Sequence, residues 1–485
     1  MSRRRSTDHS HSHAFTDLNA RDREGLVVHS RRSMLKAGLA GMAGISVPSL
    51  LQARSEAARS GQAMKSRKSV ILLWMAGGPS HIDTWDPKPE RPFNNRGPFD
   101  PISTKVPGVY ICEHLPKQAA MLDKFTIIRS VNAKHSNHEP NKVMQSGKLE
   151  AAPRVFRHGD MYPSIASVCA KVRGPNHPAM PPYVAFMRSK SHLAFGGWLG
   201  KQYDPFIANN ATKLPIYDLI GNDTGRMTSG NRFGLPGALT HDRLSDRREL
   251  VNQFDRLRSD LDSNGSMDAL DTYRQQAVDM VLGRQAQAAF DIEREPASVR
   301  ERYGKHLWCQ QAMLARRLVE AGVSFVTLDL SYHTASGTWD NHGIPGGVYG
   351  GISKGLKPLL PTFDHLITTL VSDLDERGLL DDTLVIAMGE FGRTPNMGTQ
   401  GSTDGRNHWP SVMSMCLAGG GMRHGQVIGA SERDGSKIKE RPVTPGDIAA
   451  TIYRHMDVPI EATYLDPRGR PNHIVENGAP MSELI

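Results

Sequence analysis

Residues 69–78 read SVILLWMAGG, a continuous apolar run closed by two glycines. No face of such a run is polar, so it must be covered on both sides. That is the condition of a strand inside an α/β sheet, not of a half-exposed hairpin. Similar runs return at DKFTIIRSV (123–131), VSFVTLDL (323–330) and DTLVIAMGE (382–390). Amphipathic stretches lie between and after them. GKHLWCQQAMLARRLVEAG has apolar residues at helical spacing and ends on Gly322. FDHLITTLVSDLDERGLL (363–380) has the same period, and TPGDIAATIYRHMDV opens with Thr444 and Pro445, a helix-start signal. Helices alternating with buried strands predict a largely parallel sheet covered on both faces.

A chain of 485 residues holds two to three domains, or one large α/β domain with insertions. The texture changes between about 150 and 300. There LSDRRELVNQFDRLRSDLDSNGSMDALDTYRQQAVDMVLGRQAQAAFDIERE is charged, of helical character, and broken at Asn264-Gly265. The expected organisation is an α/β domain over 65–485 with a helical insertion at about 150–300.

The N-terminus has a separate character. SRRSMLKAGLAGMAGISVPSLLQ carries Arg31 and Arg32, then Met34, Leu35 and Lys36, then a weakly apolar Ala/Gly/Leu stretch too short and Gly-rich for a membrane span. The pattern resembles a bacterial twin-arginine export signal, read by machinery that moves folded proteins. Residues 1–57 are therefore expected to be a signal peptide and N-terminal extension. Cleavage is expected after Ala57, with Ala63 as second choice, and the mature chain is expected to be periplasmic or extracellular. The His-rich DHSHSHAF belongs to the removed part.

The net charge is +9, of which residues 1–57 account for +4, nine Lys/Arg against five Asp/Glu. The remaining excess is mild and holds no long basic run, so nucleic acid is not an expected partner. Cys112, Cys169, Cys309 and Cys416 have no paired spacing, which argues for small buried residues and against a zinc knuckle or a disulfide framework. No later segment is apolar enough to span a bilayer.

Ligands of open α/β sheets bind at the carboxyl ends of strands, and four predicted strand ends are densely polar. AGGPSHIDTWDPKP follows the first run with His81, Asp83 and Asp86; Asp86 precedes a proline and also suits a turn. HSNHEPNKVMQSG follows the second. Ser136, Asn137 and His138 there precede a predicted helix starting near Pro140, where they can cap it or meet an anion. TWDNHG follows the third with Asp340 and His342, ligand types for a zinc-like cation. GEFGRTP ends the fourth. Glu390 is costly there unless paired or bound to metal, and Arg393 is placed either to pair with it or to clamp an anionic group. His408, in GRNHWP, precedes another buried run, SVMSMCLAGGG.

Together GGPSHIDTWDPKP, NHEP, WDNHG, GEFGRTP and GRNHWP resemble the DUF1501 family, exported proteins of planctomycete type, over roughly 65–475. That family is similar to a sulfatase-like branch of the alkaline phosphatase-like superfamily. The resemblance implies an alkaline phosphatase/sulfatase-like α/β core with helices on both faces, and one or two divalent ions (zinc, calcium or manganese). It implies Asp83, Asp340, His342, Glu390 and His408 as metal ligands. Asp340, His342 and His408 would share one ion; Asp83, Glu390 and His138 would serve a second ion or a water. Two departures stand out. Phe391 follows the later acid where the superfamily usually has His. Asn137 lies ten residues before Gly147, where sulfatases carry a modified Cys or Ser nucleophile, and no Cys-x-Pro-x-Arg motif is present. Catalysis would then fall to Ser136, His138 or a metal-activated water, with Arg393 and Lys142 on the anionic group. The expected function is hydrolysis of a sulfate or phosphate ester; the alternative is a non-catalytic metal-binding or scaffold protein on the same fold.

Overall fold

Eight strands form one central sheet: Ser69–Trp74 (β1), Phe125–Val131 (β2), Tyr183–Phe186 (β3), Phe206–Ile207 (β4), Phe325–Asp329 (β5), Thr383–Met388 (β6), Met413–Gly419 (β7) and Gln426–Ile428 (β8). The structure, a computed structural model, describes residues 67–138, 142–230, 284–334, 336–345, 347–399 and 401–485. The twin-arginine stretch and most of the charged run before 284 lie outside these residues.

The spatial order is β8-β2-β7-β6-β1-β5-β3-β4. Parallel pairing joins β1 to β5 and β6, β3 to β4 and β5, and β2 to β8. Strand β7 is antiparallel to both of its neighbours, β6 and β2. The predicted, largely parallel sheet is therefore present with one reversed strand.

Period-two alternation sends the residues of β1 to two different cores. Ile71 and Leu73, with Met75 just beyond the strand, pack with Leu307–Ala321 (α2) and Lys357–Glu376 (α3), through Met313, Leu314, Phe363 and Leu370. Val70, Leu72 and Trp74 pack with Ile165–Val172 (α1) and Pro445–His455 (α4), through Val168, Ile448 and Ile452. Helix α2 stops at Gly322, whose φ of 111° is left-handed. Helix α4 begins with a capping box: the Thr444 side chain accepts from Asp447 N, and Asp447 accepts from Thr444 N.

The expected insertion at 150–300 differs in its first part. Strands β3 and β4 come from within it and complete the sheet, and a hairpin of Pro215–Tyr217 with Asp223–Met227 follows. At four and two residues, β3 and β4 are too short to stand out as apolar runs. All four cysteines are free and buried, and burial pushes the thiols of Cys169 and Cys416 up to about 12. No described helix is long and apolar enough to cross a membrane.

Candidate metal centre

Strands β1, β2, β5 and β6 all point the same way, so the loops that follow them leave one edge of the sheet. Because β7 is reversed, the segment before it arrives at that same edge. His138 comes from the loop after β2, Asp340 and His342 from the loop after β5, and Glu390 lies two residues beyond β6. His408 pairs with Arg393 in a two-residue ribbon, Gly392–Arg393 against His408–Trp409, shortly before β7.

Local packing fixes these loops. Trp339 is fully buried; its indole N–H donates to Leu330 O at 2.9 Å and its backbone N–H to Ala76 O at 2.9 Å. Gly77, at φ 117°, lets the β1 exit pass so close that a Cβ there would lie 2.3 Å from Asp340 N. Gly405 passes the backbone of His342 more tightly still, a Cβ there meeting His342 O at 1.7 Å, and Arg406 N–H donates to Asn341 O at 3.0 Å. The loops carrying His342 and His408 are thus held against each other by backbone, before their side chains meet.

The ligand atoms of His138, Asp340, His342 and His408 lie within 4.8 Å of one another. His408 Nε2 is 2.7 Å from His138 Nε2 and 2.9 Å from His342 Nε2. Asp340 Oδ1 is 2.9 Å from His342 Nε2 and 3.6 Å from His408 Nε2, and Asp340 Oδ2 is 3.3 Å from His138 Nε2. Donors around a tetrahedral zinc-like ion stand about 3.3 Å apart, given bonds of about 2.0–2.1 Å. Three imidazole nitrogens and one carboxylate are a donor set that such an ion takes, and their separations of 2.7–3.6 Å bracket that spacing. His342 Nδ1 and Glu390 Oε2 are buried without hydrogen-bond partners, as befits an edge where polar groups are arranged for something besides each other.

Burial disfavours charge on Asp340, but Arg393 and the three histidines hold its carboxyl far below the usual range. Burial also disfavours charge on His138, yet hydrogen bonds to Asp340 and Glu390 outweigh it and raise its pKa. For His408 burial prevails, with Arg393 and His138 adding to it, and its pKa falls to about 4. Its side chain is 32% exposed against 6% or less for the other three, so His408 forms the approach to the cluster.

The other expected site residues take different places. Arg393 is fully buried and bonds Asp340 Oδ1 at 2.5 Å, not Glu390. Its remaining donors go to the carbonyls of Gly77, Gly78, Trp339 and Arg406 and toward His342, so the guanidinium is committed inside the protein. Glu390 does not converge with the four; its Oε1 accepts from His138 Nδ1 and from Gly77 N. Asp83 is held by Arg406 Nε at 2.6 Å and by Ser80 Oγ at 2.5 Å. Asp86 joins Lys88, Arg129 and Ser431. Lys142 Nζ donates to Asp160 O at 2.6 Å. Ser136 is buried with an unpartnered hydroxyl. The helix expected from near Pro140 spans Lys142–Ser146 within the described residues. Phe391 packs on His138 and His408, ring centroids 4.9 and 4.7 Å away. Arg406 lies in the same GRNHWP motif as His408, but nothing in the sequence sets it apart from a surface arginine; the fold buries it against Asp83. His81 is buried with Nε2 2.9 Å from Gly435 O, and burial lowers its pKa to about 4.

A family model described as "Protein of unknown function (DUF1501)" matches residues 67–485. No curated protein matches the chain. Similar solved structures include the PsFucS1 sulfatase from Pseudoalteromonas sp., 13% identical over 88% of this chain and 72% of that one, with a TM-score of 0.34. Another is Ps i-CgsB in complex with k-i-k-neocarrahexaose, 10% identical over 81% and 73%, TM-score 0.33. A third is the phosphonate monoester hydrolase SpPMH from Silicibacter pomeroyi, 12% identical over 81% and 73%, TM-score 0.30.

Proposed function

Since the chain belongs to the DUF1501 family, and the motifs of that resemblance build the cluster described above, we propose that it is an exported hydrolase of sulfate or phosphate esters that works with a divalent metal ion. The observation that carries this reading is the convergence of His138, Asp340, His342 and His408 within 4.8 Å. Those four residues would hold the ion, which would supply positive charge against the ester's non-bridging oxygens and acidify a water.

The chain's own groups divide the remaining work. Arg393 keeps Asp340 ionised and fixed in place. His408, the exposed member, is the side chain that an incoming ester meets first. Arg393 has no donor left for the ester, so recognition of the anionic group rests on the ion. Asn137 occupies the position of the expected nucleophile, and an amide cannot fill that role. Attack by water is therefore the favoured route, with the unpartnered Ser136 hydroxyl as the competing nucleophile.

The test is elemental analysis of the mature protein, followed by a screen of chromogenic sulfate and phosphate esters with the metal found. Turnover that disappears in Asp340→Ala and survives in Ser136→Ala supports the water route. Turnover lost in Ser136→Ala with metal retained makes Ser136 the nucleophile. Asn137 also favours a second reading, a metal-binding scaffold protein without catalysis. A fully metallated protein that turns over no ester in the screen would establish that one instead.

A further inference from the structure

Glu390 is fully buried. Its Oε1 is 2.8 Å from Gly77 N and 2.7 Å from His138 Nδ1, while Oε2 is buried with no hydrogen-bond partner. A backbone N–H only donates, so Oε1 is an acceptor toward Gly77; an ionised carboxylate accepts from both groups it faces. The proton between Glu390 and a neutral His138 ring therefore belongs on Nδ1. The other ring nitrogen, Nε2, is the one turned to His408 Nε2 and Asp340 Oδ2.

We propose that Glu390 is a positioning residue: it fixes the tautomer and ring orientation of His138 so that the Nε2 lone pair faces the cluster, and it does not itself ligate. This rests on the metal reading above and departs from the ligand role that the motif resemblance implies for the same residue. The geometry favours positioning on two counts. Oε1 is already shared between Gly77 and His138. Glu390 also lies outside the four groups whose ligand atoms converge. Carboxylates that accept the second N–H of a ligating histidine orient the ring and raise its basicity. Phe391, packed on the His138 and His408 rings, restrains the same ring by contact, its plane tilted 60° to that of His138.

Three forms of the full chain separate the roles: wild type, Glu390→Gln and Glu390→Leu. The Gln amide oxygen can still accept from Gly77 and His138; Leu removes the acceptor at similar volume. Zinc equivalents are expected to be equal in all three. Affinity, read by competition with a chelator, should fall about 100-fold in Glu390→Leu and about 10-fold or less in Glu390→Gln. In metal-free, 15N-histidine-labelled protein in alkaline buffer, where imidazole is neutral, His138 should be protonated on Nδ1 in wild type and Glu390→Gln and lose that preference in Glu390→Leu. Loss of one bound equivalent in both variants would make Glu390 a ligand and overturn the inference. So would an unchanged tautomer and affinity in Glu390→Leu. If wild type binds no divalent ion, the metal reading fails on its own, and the tautomer measurement still decides whether Glu390 sets His138. Melting temperatures of the three forms identify a variant that has simply unfolded.

Discussion

Asp83 and Asp340 are both buried aspartates, each paired with a fully buried arginine: Asp83 with Arg406, Asp340 with Arg393. Their surroundings give them different work. Asp340 also faces three imidazole nitrogens, whereas Asp83 otherwise meets the Ser80 hydroxyl. Removing one partner of a buried pair leaves an uncompensated charge and costs about 3–5 kcal/mol. Asp83→Ala is therefore expected to lower unfolding stability by about that much while the protein keeps its full metal content. Asp340→Ala, His342→Ala and His408→Ala should each sharply lower metal affinity, because each removes one of four donors. Urea unfolding and elemental analysis on the same preparations check both. An Asp83→Ala protein that loses an ion without losing stability would restore Asp83 as the early metal acid. The sequence could single out both aspartates, since acids are rare next to fully buried runs. It could not say which arginine each would meet.

Among the elements, α2 and α3 are tied together by charge as well as by the apolar core. Glu295, just before the helix Ala297–Tyr303, bonds Arg316 and Arg317 of α2, and Arg377 at the end of α3. Arg316 and Arg377 in turn hold Asp373 of α3. Burial opposes the charge on Glu295, but Arg316 and Arg317 more than offset it and bring its pKa from 4.5 to about 2. A folded-state pKa below the unfolded one means stability that is fully present above 4.5 and lost as pH falls through about 2. Glu295→Gln should thus lose about 3 kcal/mol at neutral pH. The gap to wild type should close on acidification through that window. Denaturant melts across the acidic range measure it; a gap that persists at the acid end would mean that packing, not charge, holds Glu295. The helices themselves are legible because α2 and α3 carry long apolar stripes and α2 has a clear stop at Gly322. Strands β3 and β4 were not, because a strand of two to four residues gains its stability from the sheet beside it and not from its own pattern.

At the scale of the whole molecule, the candidate metal centre joins segments far apart in the chain, His138 and His408 being 270 residues apart. An ion that binds only the folded form stabilises it by mass action, about 4 kcal/mol at a thousandfold excess over its Kd. Dialysis against a chelator should lower the melting temperature, and the metal found in the native protein should restore it. A melting temperature indifferent to chelation would count against the centre. Export is a prediction about the twin-arginine stretch: changing both Arg31 and Arg32 to Lys should leave the precursor in the cytoplasm, and an unchanged periplasmic yield would refute it. The sequence by itself determined the α/β class, the strands flanking the site and the residue types gathered at their ends. Periodicity and burial are local properties, and a polar group after a buried run is visible without a partner. Only the tertiary structure decided which of those groups meet. The buried run after His408 says nothing about its direction. Had Met413–Gly419 run parallel to β6, His408 would enter from the opposite edge of the sheet; its antiparallel pairing with β6 and β2 brings the imidazole to Asp340 and His342. Direction and partner are set by long-range hydrogen-bond pairing, which no window of residues contains.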